Sequence, residues 1–183
     1  MKNAEYAISL LKRSLEFYSK GKPDEAMALL KESESIFREL GSAAGIARSL
    51  APQAIILQRQ GQSDEALRLV KEAEQLFRII GDERSLQNTL SQQAEILIGL
   101  RKFDEATKLC REAESICRHM GDPSALAELL MQNVAFISEK MGRPGEALPL
   151  AEEAYRLAED NGFDDKLKGY MEVLVYLRKK IKK

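Results

Sequence analysis

The sequence of 183 residues has few aromatic and few chemically reactive side chains. It contains no tryptophan, one histidine and two cysteines, and aromatic residues make up 6% of the chain. A core without bulky rings must be built from Leu, Ile, Ala and Met, a set that favours helices over strands. Acid–base and metal catalysis usually recruit histidine, cysteine or clustered carboxylates. We therefore expect a protein that is not an enzyme and has no cofactor and no metal ion.

Long apolar runs and an excess of one charge are also missing. No segment approaches the roughly 20 apolar residues that span a bilayer, and the first residues lack the apolar stretch of a secretory signal. The formal net charge of −1 gives no overall field to hold nucleic acid or an anionic membrane. These features predict a cytoplasmic protein with reduced thiols that binds neither nucleic acid nor membrane.

The reactive side chains that are present have structural interpretations. Cys110 and Cys117 lie on one predicted helix face, where cysteine behaves as a small buried hydrophobic residue. A disulfide across two turns of one helix is geometrically excluded. His119 is expected as a solvated side chain in the last turn of a helix. The basic residues of 178–183 fit a helix end, where cations interact favourably with the helix dipole.

The dominant feature of the sequence is an internal repeat. The motif Gly-Lys-Pro-Asp-Glu-Ala at 21–26 recurs in related form at 61–66, 101–106 and 142–147. The last alanines of these motifs are spaced 40, 40 and 41 residues apart. A second marker keeps the same step, namely Phe37-Arg38, Phe77-Arg78 and Cys117-Arg118. Such a period is the signature of a repeat architecture.

Each copy of the repeat predicts two antiparallel helices. In the second copy, apolar residues between Ala66 and Ile80 recur at three- and four-residue steps, which is one helix face. Gly81 is expected to end this helix in the left-handed conformation, and Ser63 and Asp82 to cap the two helices of the pair. The predicted helices are 3–20, 23–40, 43–60, 63–80, 83–100, 103–120, 123–140, 144–160 and 164–181.

Helix pairs of this kind bury a continuous core only when they stack. The sequence therefore predicts an all-α solenoid that forms a single domain over 1–183, with four helix pairs over 3–160 and a capping helix over 164–181. Four apolar residues of the capping helix are expected to close the stack: Leu167, Met171, Leu174 and Leu177. Four charged residues of the same helix are expected to face water: Lys166, Lys168, Glu172 and Lys179.

The repeat resembles a known family. Glycine, a Glu-Ala pair, an apolar residue and a small residue at Gly61, Glu65, Ala66, Val70 and Ala73 resemble the second helix of a tetratricopeptide repeat (TPR). The resemblance covers nearly the whole chain. Copies of 40 or 41 residues, against the usual 34, are similar to a long-helix variant of the family. The resemblance implies a right-handed superhelix of about nine helices.

The resemblance also implies a binding surface. Family proteins bind peptides or helices in a concave groove lined by the first helix of each pair. The implied groove residues are Arg48, Ile55, Arg59, Asn88, Gln92, Glu95, Glu128, Met131 and Gln132. One subgroup clamps the C-terminal carboxylate of heat-shock chaperones with cations, which are missing at the matching positions here, so that ligand is not expected.

Three functions remain open from the sequence. The leading prediction is a scaffold or adaptor that binds a protein or peptide partner in the groove. The second is a regulatory or sensor domain of a larger signalling protein, which would need a closed pocket for a small effector. The third is a self-associating structural module, in which exposed Tyr170, Val173 and Tyr176 pair two copies. The chain is accordingly predicted to be a monomer or a weak homodimer through its C-terminal helix.

Overall fold

A computed structural model describes residues 3–182, and over this range the chain is all-α with no strand. Its helices are α1 (Ala4–Ser19), α2 (Pro23–Glu39), α3 (Ala43–Arg59), α4 (Ser63–Ile80), α5 (Glu83–Gly99), α6 (Phe103–Met120), α7 (Pro123–Ala135), α8 (Pro144–Asp160) and α9 (Asp164–Ile181). These bounds confirm the predicted helices to within one residue at each end, except at the end of α7. Lys183, the last of the predicted basic residues, lies outside the described range.

Most turns between consecutive helices contain a residue in the left-handed backbone conformation. Seven of those in the described range are glycines, including Gly81 with φ of 70°, and one is Arg101 with φ of 60°. The predicted cap at Asp82 is confirmed, because its Oδ1 accepts the backbone N–H of Ser85 at 3.0 Å. The cap predicted at Ser63 is wrong: Ser63 is the first residue of α4, whose N-terminus has no side-chain cap.

The extra residue of the 41-residue step is accommodated at the end of α7. There the backbone widens into a π-helical segment, Phe136–Lys140, in which the N–H of Met141 donates to the carbonyl of Phe136 at 3.2 Å. Such wide turns are the form in which a helix takes up one additional residue. The prediction of one continuous α-helix to residue 140 is therefore wrong in its last turn.

The chain divides into two compact units, unit 1 over 1–102 and unit 2 over 103–183. Unit 1 contains α1 to α5 and unit 2 contains α6 to α9. Within each unit, every helix packs mainly against the helices that precede and follow it in the chain. Each unit is therefore a run of antiparallel helices, five in unit 1 and four in unit 2.

The cores of the units consist of the small and branched residues that the repeat predicts. In unit 1, one cluster includes Leu10, Ile36 and Phe37, and another includes Leu30 and Ile56. In unit 2, helices α7, α8 and α9 share one cluster, formed by Val134, Ala147, Ala151, Leu174 and Leu177. Leu174 and Leu177 are buried, as the sequence predicted.

Several single-residue expectations are decided by burial. Cys117 is fully buried, as predicted, and Cys110 is half-buried; both are thiols. Met171 was expected in the core but is exposed. Val173 was expected on the surface but packs against the core cluster of unit 2, whereas Tyr176 is exposed as predicted. Tyr170 is half-buried, so Tyr176 is the one exposed residue among the three that were expected to pair two copies.

Candidate partner-binding site

The first helices of successive pairs form one surface in unit 1. The guanidinium of Arg59 in α3 lies 5.2 Å from the ring centre of Tyr18 in α1. The side-chain amide of Gln92 in α5 donates to the carbonyl of Ala51 in α3 at 2.9 Å. These contacts place α1, α3 and α5 side by side. We call the exposed residues of this surface the A face: Leu15, Ile55, Arg59, Asn88 and Glu95.

One column of the repeat crosses the A face and changes character along it. Leu15 and Ile55 occupy equivalent positions in α1 and α3, and they are 62% and 37% exposed. Exposed apolar side chains rimmed by polar ones are typical of interaction sites. The third member of the column is Glu95 in α5. The column is therefore apolar on α1 and α3 and acidic on α5.

Glu95 is the electrostatic feature of this surface. Its side chain is exposed, yet the surrounding protein desolvates the carboxyl group and raises its pKa. No side chain among residues 3–182 forms an ion pair or hydrogen bond with Glu95. A carboxylate in such surroundings attracts a cationic group more strongly than one in open water.

Three of the predicted groove residues in unit 1 already have partners inside the chain. Arg48 lies 3.7 Å from the carboxylate of Asp82, Arg59 stacks on Tyr18, and Gln92 is held by the α3 backbone. Ile55, Asn88 and Glu95 have no polar partner in the part of the chain that the structure describes. These three residues are the ones that remain available to a ligand.

The predicted groove residues of unit 2 have a different environment. The carboxylate of Glu128 in α7 pairs with Lys166 of α9, which also donates to the hydroxyl of Ser124 at 3.0 Å. Met131 is half-buried against the core cluster that α9 completes, and Gln132 is exposed. The expectation that Lys166 faces water is therefore wrong. Helix α9 covers part of the α7 surface that the sequence assigned to a ligand.

The second helices of the pairs carry a charged network that sequence reasoning missed. Arg38 of α2 pairs with Glu34 in its own helix at 2.8 Å and with Glu72 of α4 at 2.6 Å. In unit 2, Arg118 of α6 likewise pairs with Glu153 of α8 at 2.6 Å. The signal was present in the sequence, because these arginines belong to the 40-residue marker. The marker indicated the repeat but not the carboxylates with which these arginines pair.

Two other classes of site can be assessed over the described range. Among residues 3–182, no group of histidine, cysteine and carboxylate side chains is arranged to hold a metal ion. None of the helices α1 to α9 combines the length and the apolar character needed to cross a membrane.

Comparison with protein families gives a match over almost the whole chain. The profile of the family described as Anaphase-promoting complex subunit 5 matches four overlapping segments, residues 1–60, 48–99, 82–140 and 128–181. These four matches follow the four copies of the internal repeat. No curated protein sequence matches the chain.

Solved structures resemble the chain in fold. BtubC (BKLC) from P. vanneervenii is 16% identical, with a TM-score of 0.78 over 88% of this chain and 67% of that one. The Podosopora anserina putative kinesin light chain with nearly identical TPR-like repeats is 17% identical, with a TM-score of 0.67 over 99% of both chains. Aspartyl phosphate phosphatase F from Bacillus subtilis is 15% identical, with a TM-score of 0.66 over 96% of this chain and 49% of its own. Identities this low show the fold alone, which is a TPR-like solenoid.

Proposed function

Because the chain belongs to the family described as Anaphase-promoting complex subunit 5, a family of TPR-like helical repeats, we propose that it is a protein-interaction scaffold. It holds a segment of a partner protein against the A face of unit 1. The proposal assigns no catalytic step to the chain. Stacked helix pairs suit this role, since their first helices form an extended surface that a peptide or helix can follow.

The observation that carries the proposal is the column of Leu15, Ile55 and Glu95. A complementary partner has apolar side chains that cover Leu15 and Ile55, and a lysine or arginine that reaches Glu95. Apolar burial at one end supplies affinity, at about 25 cal/mol for each Å² removed from water. The carboxylate at the other end sets the direction in which the segment lies, because a cation is favoured only there.

A peptide-display library panned on the wild-type chain tests the proposal. Peptides that are enriched should combine apolar residues with at least one basic residue. Their affinity, measured by fluorescence anisotropy, should fall about tenfold or more for Leu15→Glu and for Glu95→Lys. The first change places a charge at the apolar end of the column, and the second reverses the charge at its acidic end.

Ile79→Glu is the matched control. Ile79 in α4 is 77% exposed, so it is as accessible as Leu15, but it does not belong to the A face. Its replacement should leave peptide affinity unchanged. Peptides that bind equally well to Leu15→Glu, or that lose affinity with Ile79→Glu, would show that the A face is not the binding surface.

A further inference from the structure

Each unit has a cleft at equivalent positions of the repeat. The unit 1 cleft lies between α2, α3 and α4 and has a volume of about 460 Å³. The unit 2 cleft lies between α6, the end of α7 and α8 and has a volume of about 630 Å³. Neither cleft shares a residue with the A face. The two clefts differ in how many of their polar side chains form hydrogen bonds or ion pairs with each other.

Most polar groups of the unit 1 cleft are paired with each other; among residues 3–182, the side chains of Lys31 and Gln62 are the exceptions. The amide of Gln53 in α3 donates to Glu34 at 2.7 Å, and Arg38 pairs with the same carboxylate at 2.8 Å. Arg68 pairs with Glu65 at 2.7 Å. The carboxylates and arginines of this cleft therefore satisfy one another, and Lys31 is the one cation of its lining without an ion pair in the described range.

The unit 2 cleft has asparagine where the earlier repeats have glutamine. Gln53 donates to Glu34, and Gln93 donates to Glu74 at 2.5 Å, but the equivalent Asn133 is shorter by one methylene group. Asn133 is only 5% exposed and lines the cleft, and within the described range its side chain forms no hydrogen bond. The Asn133 amide is not fully enclosed by protein, so its polar atoms reach the open cleft. Because they have no partner in this range, they remain available to a ligand.

The charges around the unit 2 cleft favour an anion. Lys108 and Arg111 of α6 line it, and neither forms an ion pair within residues 3–182. A third cation, Arg143, lies 3.6 Å from Glu146 and is largely neutralised by it. Asp104 is the one carboxylate of the lining without a cationic partner in this range. Glu114, the remaining carboxylate of the lining, pairs with Arg118 at 2.8 Å. The lining as a whole is neutral, but its groups without an ion pair in the described range are two cations and one carboxylate.

The remaining wall of the unit 2 cleft is apolar. Phe136 and Ile137 belong to the π-helical segment, and Leu150 of α8 faces them across the cleft. The wide turn that takes up the extra residue of this repeat therefore also shapes the cleft. Wide turns of this kind occur frequently at functional sites.

We propose that the unit 2 cleft binds a small organic anion with an apolar body, of the class of the carboxylic acids. Arg111, Lys108 and the Asn133 amide hold the carboxylate, and Phe136, Ile137 and Leu150 cover the apolar body. The volume of 630 Å³ lies within the usual range of small-molecule sites, about 300–1,000 Å³. This ligand is independent of the partner proposed for the A face.

Nuclear magnetic resonance of the full chain labelled with ¹⁵N tests the proposal, with benzoate and hexanoate as probes. Both carboxylates should shift the side-chain amide signal of Asn133 and leave that of Gln53 unmoved. Inorganic phosphate, an anion without an apolar body, should bind at least tenfold more weakly. An Asn133 signal that neither carboxylate moves at millimolar concentration would overturn the proposal.

Two substitutions identify the residues responsible. Asn133→Gln should restore the amide–carboxylate hydrogen bond of the other repeats, to Glu114 here, and weaken carboxylate binding at least tenfold in a folded chain. Arg111→Gln should weaken binding about tenfold through loss of a charged hydrogen bond. Lys31→Gln, at the equivalent exposed position of the unit 1 cleft, is the control and should leave binding unchanged.

Unchanged affinity in either Asn133→Gln or Arg111→Gln would contradict the assignment. Arg111 is exposed, so its variant decides the question if Asn133→Gln does not fold.

Discussion

Gly45 of α3 lies against the ring of Phe37 of α2. A Cβ atom built on Gly45 would lie 2.2 Å from two ring atoms of Phe37, and this ring is buried. Gly45→Ala should therefore lower the free energy of unfolding by about 1–3 kcal/mol, as overpacking does in cores. Urea denaturation measures the change.

Gly169 of α9 provides the matched control for this prediction. It is also helical, but a Cβ there would meet no atom within 4 Å. Gly169→Ala should raise the free energy of unfolding by up to about 1 kcal/mol, because alanine is the better helix former. A stabilising effect of the same size at Gly45 would mean that α2 and α3 are not as close as described.

Arg101 occupies a left-handed backbone position, with φ of 60°, at a joint where the other copies have glycine. This conformation costs a residue with a side chain about 1–2 kcal/mol, although glycine loses more freedom on folding. Arg101→Gly should therefore raise the free energy of unfolding by roughly 0.5–1 kcal/mol, seen as a higher thermal midpoint. Lys20→Gly, at a right-handed position with φ of −83°, should not raise it.

At the scale of elements, ion pairs connect the second helices of neighbouring repeats. The Arg118 guanidinium hydrogen-bonds the carboxylate of Glu153 and lowers its pKa. The pair therefore stabilises the fold fully above the ordinary pKa of glutamate, about 4.3. This stabilisation is lost as the pH falls through the lowered pKa of the folded state.

Glu153→Gln tests this contribution. At pH 7 it should lower the free energy of unfolding by up to about 1 kcal/mol, the usual limit for a partly exposed pair. The difference from wild type should shrink in high salt and vanish at a pH below the folded-state pKa. Urea denaturation at neutral and acidic pH measures both, and a difference that persists in acid would assign the effect to packing instead.

The element bounds could be predicted from the sequence because their signals are local. Gly81 and Asp82 mark a joint by their own backbone and capping preferences, which act within a few residues. The π-helical segment shows the limit of this reasoning. The 41-residue step revealed an extra residue, but the burial of Phe136 and Ser138 determines where the backbone takes it up. That packing is not a local property.

At the scale of the whole molecule, the repeat predicted the fold and only part of the candidate sites. Ile55, Asn88 and Glu95 are exposed, and their contact with a partner stays a prediction. The pairing of Glu128 with Lys166 could not be predicted, because it depends on the angle at which α9 packs on α7. The unit 2 cleft was missed because Asn133 differs from glutamine by one methylene group, a change that matters only beside a carboxylate.

Packing mainly between helices that are neighbours in the chain has a consequence for how such a chain can grow. Each helix pair packs on the next through a similar interface, so a duplicated block of about 40 residues would find a complementary surface on which to pack. Contacts between residues close in sequence also form early and without long searches. The length of the chain can therefore change by whole repeats during evolution. A single substitution, such as Gln to Asn, then gives one repeat a chemistry that the other repeats lack.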